Sequence, residues 1–143
     1  MKVTKEFSFE MSHMLEGYDG HCSQIHGHSY RLFVTVEGEP LAVPGDPKEG
    51  MVMDFGELKR IVNTLVVERF DHALMIRSTA ATAGLRAALK EHLERIVEVD
   101  YRPTCENMTT AIAALIAAAL PAQVTLCGVR LYETATSYAE IGR

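Results

Sequence analysis

The sequence contains no tryptophan, few cysteines and no long apolar run. Its longest apolar run, Ala111–Leu120, falls well short of the roughly 18–20 residues needed to cross a bilayer, so we expect no membrane partner. The first residues alternate polar and apolar side chains and lack the continuous apolar stretch of an export signal. The number of cysteines is odd, and they lie far apart in the sequence, at Cys22, Cys105 and Cys127. This pattern is typical of reduced thiols. We therefore expect a cytoplasmic protein.

The sequence also has no excess of positively charged residues. The 14 Lys and Arg residues face 19 Asp and Glu residues, which gives a formal net charge of -5. Because such a chain has no overall field that attracts DNA or RNA, we expect no nucleic-acid partner. The composition, 48% hydrophobic and 23% charged, is that of a globular protein and excludes general disorder. The length predicts a single domain over residues 1–143.

Two stretches near the N-terminus alternate with the period of two that is typical of half-buried strands. They are Val3–Met11 and His28–Glu37, and Leu15–Ile25 between them is too long for a tight hairpin turn. The Pro- and Gly-rich segment Gly38–Gly50 predicts an exposed connection.

Helical spacing of apolar residues predicts a helix from Phe55 to about Phe70. Asp54 is its expected N-cap, with Glu57 at the reciprocal capping-box position. The other predicted elements are helices over Ala83–Leu93 and Cys105–Leu120, the latter with Thr104 as N-cap, and strands over Ile96–Val99, Gln123–Glu133 and Ser137–Ile141.

Strands at both ends of the chain with helices between them favour an α+β fold over a doubly wound parallel sheet. We expect an antiparallel sheet with helices on one face. Because the other face would be only partly covered, we expect further copies of the chain to close it as a homo-oligomer.

Three histidines have the spacing of a metal site. His26 and His28 flank Gly27 at the head of a strand, and the period of two directs both side chains to one face. His13 ends the preceding strand and would reach the same point across an antiparallel pair. Three imidazoles without a thiolate describe a catalytic zinc site with an open fourth position. The alternative is a surface histidine cluster or a hydrogen-bonded pair.

Cys22 precedes this pair in the pattern C-x3-H-G-H. It could be a fourth zinc ligand, which would make the site structural, or a thiolate that acts as a base or nucleophile beside the metal. A third interpretation is a small buried apolar residue. His21 is a spare ligand or proton partner, although a solvated loop histidine is the simpler interpretation.

Three further residues carry chemical groups. Asp71 directly precedes His72, and a carboxylate beside an imidazole can fix its tautomer and raise its basicity. Adjacent residues need not touch, however, and we expect a helix-end histidine with a solvated aspartate. Glu133 lies at the end of an apolar strand, where it is either a surface charge or an anchor for a heterocycle with paired N–H donors.

Six segments in order along the chain match one family. They are F-S-F-E-M-S-H ending at His13, C-S-Q-I-H-G-H-S-Y over Cys22–Tyr30, G-M-V-M-D-F-G-E-L-K over Gly50–Lys59, F-D-H-A-L over Phe70–Leu74, P-T-C-E-N over Pro103–Asn107, and Y-E-T-A-T-S over Tyr132–Ser137. In these segments the chain resembles the 6-pyruvoyl-tetrahydropterin synthase family, and in particular its bacterial queuosine-pathway branch, which makes 6-carboxytetrahydropterin. Only two segments, Gly38–Glu49 and Arg77–Tyr101, do not resemble the family.

The resemblance implies the tunnelling fold, in which ββααββ subunits form an oligomeric barrel, usually a homohexamer of two stacked trimers. It implies a zinc ion on three ligands and a pterin triphosphate substrate. Cys22 would accept a proton, with a relay from a neighbouring subunit, and Glu133 would grip the pterin ring. The implied ligands are His13, His26 and His28, the implied relay is Asp71 with His72, and the backbone of Thr104 and Cys105 would help to bind the ring.

The implied reaction converts 7,8-dihydroneopterin triphosphate to 6-carboxytetrahydropterin, acetaldehyde and triphosphate. The alternatives are a lyase that stops at a 6-pyruvoyl product and a non-catalytic zinc- or pterin-binding module. Phe9 and Met11 replace the small residues that are usual before His13, and Cys105 replaces a commoner alanine or threonine. These departures bear on the choice of substrate more than on zinc binding.

Overall fold

A long hairpin of two strands forms the centre of the molecule. In the computed structural model, which describes residues 1–142, strand β1 (Lys2–His13) pairs antiparallel with β2 (His26–Glu37) from Lys2↔Glu37 to His13↔His26. Every second residue is buried from Phe7 to His13 in β1 and from Tyr30 to Val36 in β2, as the sequence alternation predicts. This register places His13 directly opposite His26.

The sheet has six strands in the order β4-β3-β1-β2-β5-β6. The outer strands are β3 (Ala73–Arg77), β4 (Ile96–Val99), β5 (Thr125–Tyr132) and β6 (Tyr138–Gly142). The α+β prediction is confirmed, but the expectation of an all-antiparallel sheet is wrong, because β1 and β3 run parallel and so do β3 and β4. The chain enters β3 and β4 after helical crossovers, and a helical crossover returns the chain to the end where a parallel strand begins.

Strand β3 was absent from the sequence prediction. Four of its five residues are buried, and it lies between β1 and β4. A strand buried on both faces loses the polar–apolar alternation and reads as a continuous apolar run. The run Ala73–Ile76 therefore gave no period-two signal after the long helix.

The long predicted helix begins as expected and changes its winding halfway. Helix α1 (Phe55–Val62) starts where the Asp54 carboxylate accepts a hydrogen bond from the Gly56 N–H at 2.7 Å. Glu57 does not close a capping box; its carboxylate lies 3.6 Å from Lys48 Nζ. A π-helical segment and a short last turn follow, at Asn63–Val67 and α2 (Glu68–Phe70).

Helices α1 and α4 cover one face of the sheet. Helix α3 (Ala83–Lys90) lies in the β3–β4 crossover and buries none of its residues. Helix α4 (Cys105–Ala119) starts where the Thr104 hydroxyl accepts from the Asn107 N–H at 3.3 Å. The core between helices and sheet includes Phe9, Tyr30, Leu32, Leu58, Ile112 and Leu131. Within residues 1–142, no helix is both long and apolar enough to cross a membrane.

Candidate metal centre and active site

The three predicted histidines converge at one end of the β1–β2 hairpin. Their candidate ligand nitrogens all lie within 4.8 Å of one another. His13 and His26 are cross-strand partners, with their Nε2 atoms 3.1 Å apart. His28 follows two residues later on the same face, with its ring centroid 4.9 Å from that of His26. The hairpin register alone therefore assembles a three-nitrogen group.

Backbone carbonyls fix the tautomers of two of these imidazoles. His13 Nδ1 donates to the Pro103 carbonyl at 2.8 Å, and His26 Nδ1 donates to the Gln24 carbonyl at 2.8 Å. With the proton on Nδ1, each Nε2 carries a lone pair, so the two facing Nε2 atoms have no proton to share. The Nε2 atom of His28 is buried and has no hydrogen-bond partner in the part of the chain that the structure describes. Converging lone pairs anchored in this way fit a metal ion, and three imidazoles suit zinc with an open position.

Burial favours the neutral form of two of these imidazoles, His13 and His28. It lowers the pKa of His13 to about 4, against a partly compensating hydrogen bond with Pro103, and the neighbouring imidazoles lower it further. Burial also lowers the pKa of His28, although the Glu133 carboxylate acts in the opposite direction. The neutral imidazole is the form that binds a metal, so burial reduces the competition of protons for His13 and His28.

Glu133 lies beside the histidine group. It directly follows β5, and its Oε1 lies 3.6 Å from His13 Nε2 and 3.9 Å from His28 Nε2. Its side chain is 26% exposed, so the carboxylate faces both the metal centre and solvent. The carboxylate therefore offers a partly exposed hydrogen-bond acceptor beside the three histidines.

Tyr30 is a site neighbour that the sequence analysis missed. It is fully buried on the same sheet face, and its ring centroid lies 5.6 Å from that of His28 and 6.2 Å from that of His13. Its hydroxyl has no hydrogen-bond partner among the described residues, and burial raises its pKa far above the usual range. Strand alternation placed it in the core, and only the pairing of β2 with β5 brings it near Glu133.

The start of α4 closes the site from the helix layer. The Thr104 hydroxyl caps the helix, and the Thr104 N–H donates to the Arg102 carbonyl at 2.8 Å. The Cys105 thiol donates to the Leu131 carbonyl at 3.2 Å, and burial raises its pKa. The side chain of Cys105 therefore acts as a small packed group at the end of β5.

Cys22 lies outside the ligand group. It is half-buried in a single turn of 3₁₀-helix, His21–Ser23, and no thiol joins the three histidines as a candidate ligand within residues 1–142. The structure therefore does not include Cys22 in the group of candidate ligands. His21 in the same turn is exposed, as a solvated loop histidine would be.

Asp71 and His72 do touch, contrary to the sequence expectation. His72 Nδ1 lies 3.0 Å from Asp71 Oδ2, and Asp71 Oδ1 accepts from the Glu10 N–H at 2.9 Å. His72 donates its own N–H to the Glu10 carbonyl and has a φ of 58°, in the left-handed region that a bulky residue rarely adopts. The Glu10 hydrogen bond is the main reason that the pKa of Asp71 lies below its usual range.

The Asp71–His72 pair is exposed and separate from Cys22. The His72 side chain is 74% exposed, and no hydrogen bond joins it to Cys22 within the described 142 residues. It borders an open depression of about 470 Å³ whose lining also includes Gly27 and His28. A single chain therefore brings together His13, His26, His28 and Glu133, but it does not connect them to the Asp71–His72 pair by hydrogen bonds.

Comparisons with known proteins agree with this geometry. The family model described as 6-pyruvoyl tetrahydropterin synthase matches residues 2–143. A Haemophilus influenzae protein named 6-carboxy-5,6,7,8-tetrahydropterin synthase is 37% identical over 140 residues, covering 97% of this chain and 96% of the relative.

Two solved structures share the fold. An uncharacterized protein of Wolinella succinogenes matches with a TM-score of 0.78 and 21% identity, covering 100% of this chain and 98% of its own. The Caenorhabditis elegans 6-pyruvoyl tetrahydropterin synthase matches with a TM-score of 0.69 and 22% identity, covering 100% of this chain and 95% of its own. With a family model that covers nearly every residue, the chain belongs to the 6-pyruvoyl tetrahydropterin synthase family.

Proposed function

We propose that the protein is a zinc-dependent 6-carboxytetrahydropterin synthase, a lyase that acts on 7,8-dihydroneopterin triphosphate. The observation that carries the proposal is the convergence of three imidazoles, with their ligand nitrogens within 4.8 Å of one another, beside the Glu133 carboxylate. The full-length relative from Haemophilus influenzae supports the 6-carboxy product. The product would serve queuosine biosynthesis, as the family branch implies.

His13, His26 and His28 would hold the zinc ion. When bound, zinc supplies Lewis-acid polarisation of substrate oxygens, which acidifies neighbouring protons. The carbonyl groups of Pro103 and Gln24 keep two of the ligands in the right tautomer. We propose zinc because three imidazoles with an open fourth position are a common arrangement of catalytic zinc sites.

Glu133 would orient the substrate ring. A carboxylate accepts two parallel N–H donors, and a 2-amino-4-oxo heterocycle presents such a pair. Thr104 and Cys105, at the start of α4, would form the adjoining wall of the ring pocket.

Cys22 would remove the proton from the substrate side chain as a thiolate. The Asp71–His72 pair would relay protons, because the carboxylate holds Nδ1 of the imidazole and leaves Nε2 for the transfer. Since His72 is exposed in the single chain, we propose that it serves Cys22 of a neighbouring copy in a homohexamer of two trimers. The working protein would thus be a single-domain, cytoplasmic homo-oligomer with a small-molecule substrate and with no nucleic-acid or membrane partner.

Product analysis tests the proposal directly. Zinc-loaded protein incubated with 7,8-dihydroneopterin triphosphate is expected to release 6-carboxytetrahydropterin and acetaldehyde, detected by mass spectrometry. A pyruvoyl product would support the 6-pyruvoyl alternative named by the family model instead. An unchanged substrate would favour a non-catalytic binding module.

The variant Cys22→Ala separates a proton acceptor from a ligand. It should keep its zinc and bind a pterin while turnover falls to background. Loss of zinc from this variant in elemental analysis would make Cys22 a ligand and remove the open coordination position on which the proposal depends.

A further inference from the structure

Cys22 lies in the connection between β1 and β2. Hydrogen bonds and one ion pair fix the position of this connection. The Leu15 N–H donates to the Cys22 carbonyl at 2.9 Å, which closes the connection into a loop around Glu16 and Gly17. Gly17 has a φ of 68°, a left-handed conformation that suits glycine at such a turn. We call residues 15–22 the thiol loop.

Glu16 is the point at which the thiol loop is tied to the rest of the chain. Its backbone carbonyl accepts a hydrogen bond from the guanidinium of Arg102. Its carboxylate accepts from the Thr79 hydroxyl at 3.0 Å and lies 4.0 Å from Arg77 Nη1. The carboxylate is 20% exposed, so these contacts are partly shielded from water.

Arg102 belongs to the segment that also holds the metal centre. The next residue, Pro103, accepts the hydrogen bond that fixes the tautomer of His13. The Arg102 carbonyl accepts from the Asn107 side chain at 2.9 Å and from the Thr104 N–H at 2.8 Å, which ties the segment to the start of α4. One short stretch of backbone therefore sets the position of a candidate ligand through Pro103 and of the thiol loop through the Arg102 side chain.

We propose that Arg102 and Glu16 are positioning residues that set the location of the Cys22 thiol relative to the three histidines. The inference rests on the proposed function, in which Cys22 accepts a proton from a substrate held at the metal. Within residues 1–142 no hydrogen bond joins the Arg102 side chain to the histidines, so its removal should displace the thiol while His13 keeps its bond to the Pro103 carbonyl. A misplacement of about 1 Å in a catalytic group can lower a rate by about a hundredfold.

The test compares Arg102→Leu and Arg102→Lys with Arg130→Gln. Leucine keeps much of the packing volume of Arg102 but removes every donor, whereas lysine keeps a cation that can reach the Glu16 carbonyl. Arg130 is the control because it pairs with Glu140 between β5 and β6, and no hydrogen bond or ion pair joins it to the thiol loop in the described part of the chain. Glu16→Ala is a second disruptive variant, since it removes the Thr79 and Arg77 contacts and keeps the carbonyl that Arg102 binds.

Three quantities are measured on each folded, zinc-loaded variant. They are zinc content, the rate of iodoacetamide alkylation at Cys22 followed by peptide mass spectrometry, and kcat and KM separately. For Arg102→Leu we expect unchanged zinc, a change in the Cys22 alkylation rate of about threefold or more, and a kcat that is lower by about tenfold or more with little change in KM. Arg102→Lys should recover most of the kcat, and Arg130→Gln should match the wild type.

The inference is overturned if Arg102→Leu alkylates and turns over like Arg130→Gln, or if it loses its zinc. If Arg102→Leu does not fold, Glu16→Ala carries the same test with the same expected outcomes. Absence of product with the wild-type protein would instead refute the proposed function. The Cys22 alkylation rates of Arg102→Leu and Arg130→Gln would then test by themselves whether Arg102 positions the thiol.

Discussion

The histidine group and the Asp71–His72 pair both combine imidazoles with a carboxylate, but their surroundings differ sharply. The His13 side chain is 1% exposed and its Nδ1 is held by the backbone of a distant segment. The His72 side chain is 74% exposed and is held by the carboxylate of its own sequence neighbour. The first site is built by strand pairing within one chain, and the second is a strained local turn that faces outwards.

This difference indicates two chemical tasks. A buried imidazole with its Nδ1 proton held by a carbonyl is suited to bind a metal, because burial favours its neutral form and its Nε2 presents a lone pair. An exposed imidazole next to an ionised carboxylate can take up and release protons, because water and partners reach it. The three histidines of the first site meet within a single chain, whereas His72 is joined to them by no hydrogen bond among residues 1–142.

The largest expected effect is the loss of the metal from His26→Ala. Removing one of three ligand nitrogens should weaken zinc binding by more than the roughly 10–100-fold that is typical of losing a supporting hydrogen bond. Zinc per chain is measured by elemental analysis after dialysis, with His21→Ala as the control in the neighbouring turn. Unchanged stoichiometry in His26→Ala would disprove the three-histidine centre.

Asp71→Asn should separate the two regions. It is expected to keep zinc at wild-type stoichiometry while kcat falls by about a hundredfold, the usual contribution of an acid–base group. Asp46→Asn is the control, because Asp46 caps a local turn in the exposed Gly38–Gly50 connection. Loss of zinc along with turnover in Asp71→Asn would mean that the two regions are not separate.

Acid should unfold the metal-free protein in two different pH windows. The pKa of His13 is about 4 in the folded chain against an ordinary value of 6.5, so the unfolded chain takes up that proton first. Stability from this group is therefore lost as pH falls from about 6.5 to about 4. Asp71 has a folded pKa below its ordinary value of 3.8, so its contribution is present above that pH and is lost below it.

Urea unfolding between pH 3 and pH 7 checks these windows. His13→Gln should reduce the pH dependence of the unfolding free energy in the upper window, to which His28 also contributes, and Asp71→Asn should reduce it only in the lower window. A change in the upper window in Asp71→Asn would contradict the assignment of each window to one region.

The smallest expected effect concerns Tyr30, which lies under the histidine group. Because its buried hydroxyl has no partner among residues 1–142, Tyr30→Phe should leave the free energy of unfolding unchanged or raise it by about 1 kcal/mol. Thermal or urea unfolding measures this, with the exposed Tyr18→Phe as control. A clear loss of stability in Tyr30→Phe would reveal a bonding partner for the hydroxyl.

Local patterns in the sequence were enough to predict the helices and strands that have a regular apolar period or a capping residue. Alternation in β1 and β2 placed His26 and His28 on one face, and the caps at Asp54 and Thr104 located two helix starts. The same patterns failed for β3, because a strand buried on both faces has no polar side to mark its period. They also failed to show that Asp71 touches His72, since that contact depends on the left-handed φ of His72.

The sequence by itself determined the α+β class, the three candidate ligands and the loop that carries the thiol. Only the tertiary structure decided how these parts are held. The carbonyl that anchors His13 lies 90 residues away, and the arginine that ties the thiol loop to the same segment lies 86 residues away. Contacts over such separations depend on the mixed strand order of the sheet, and local periodicity carries no information about that order.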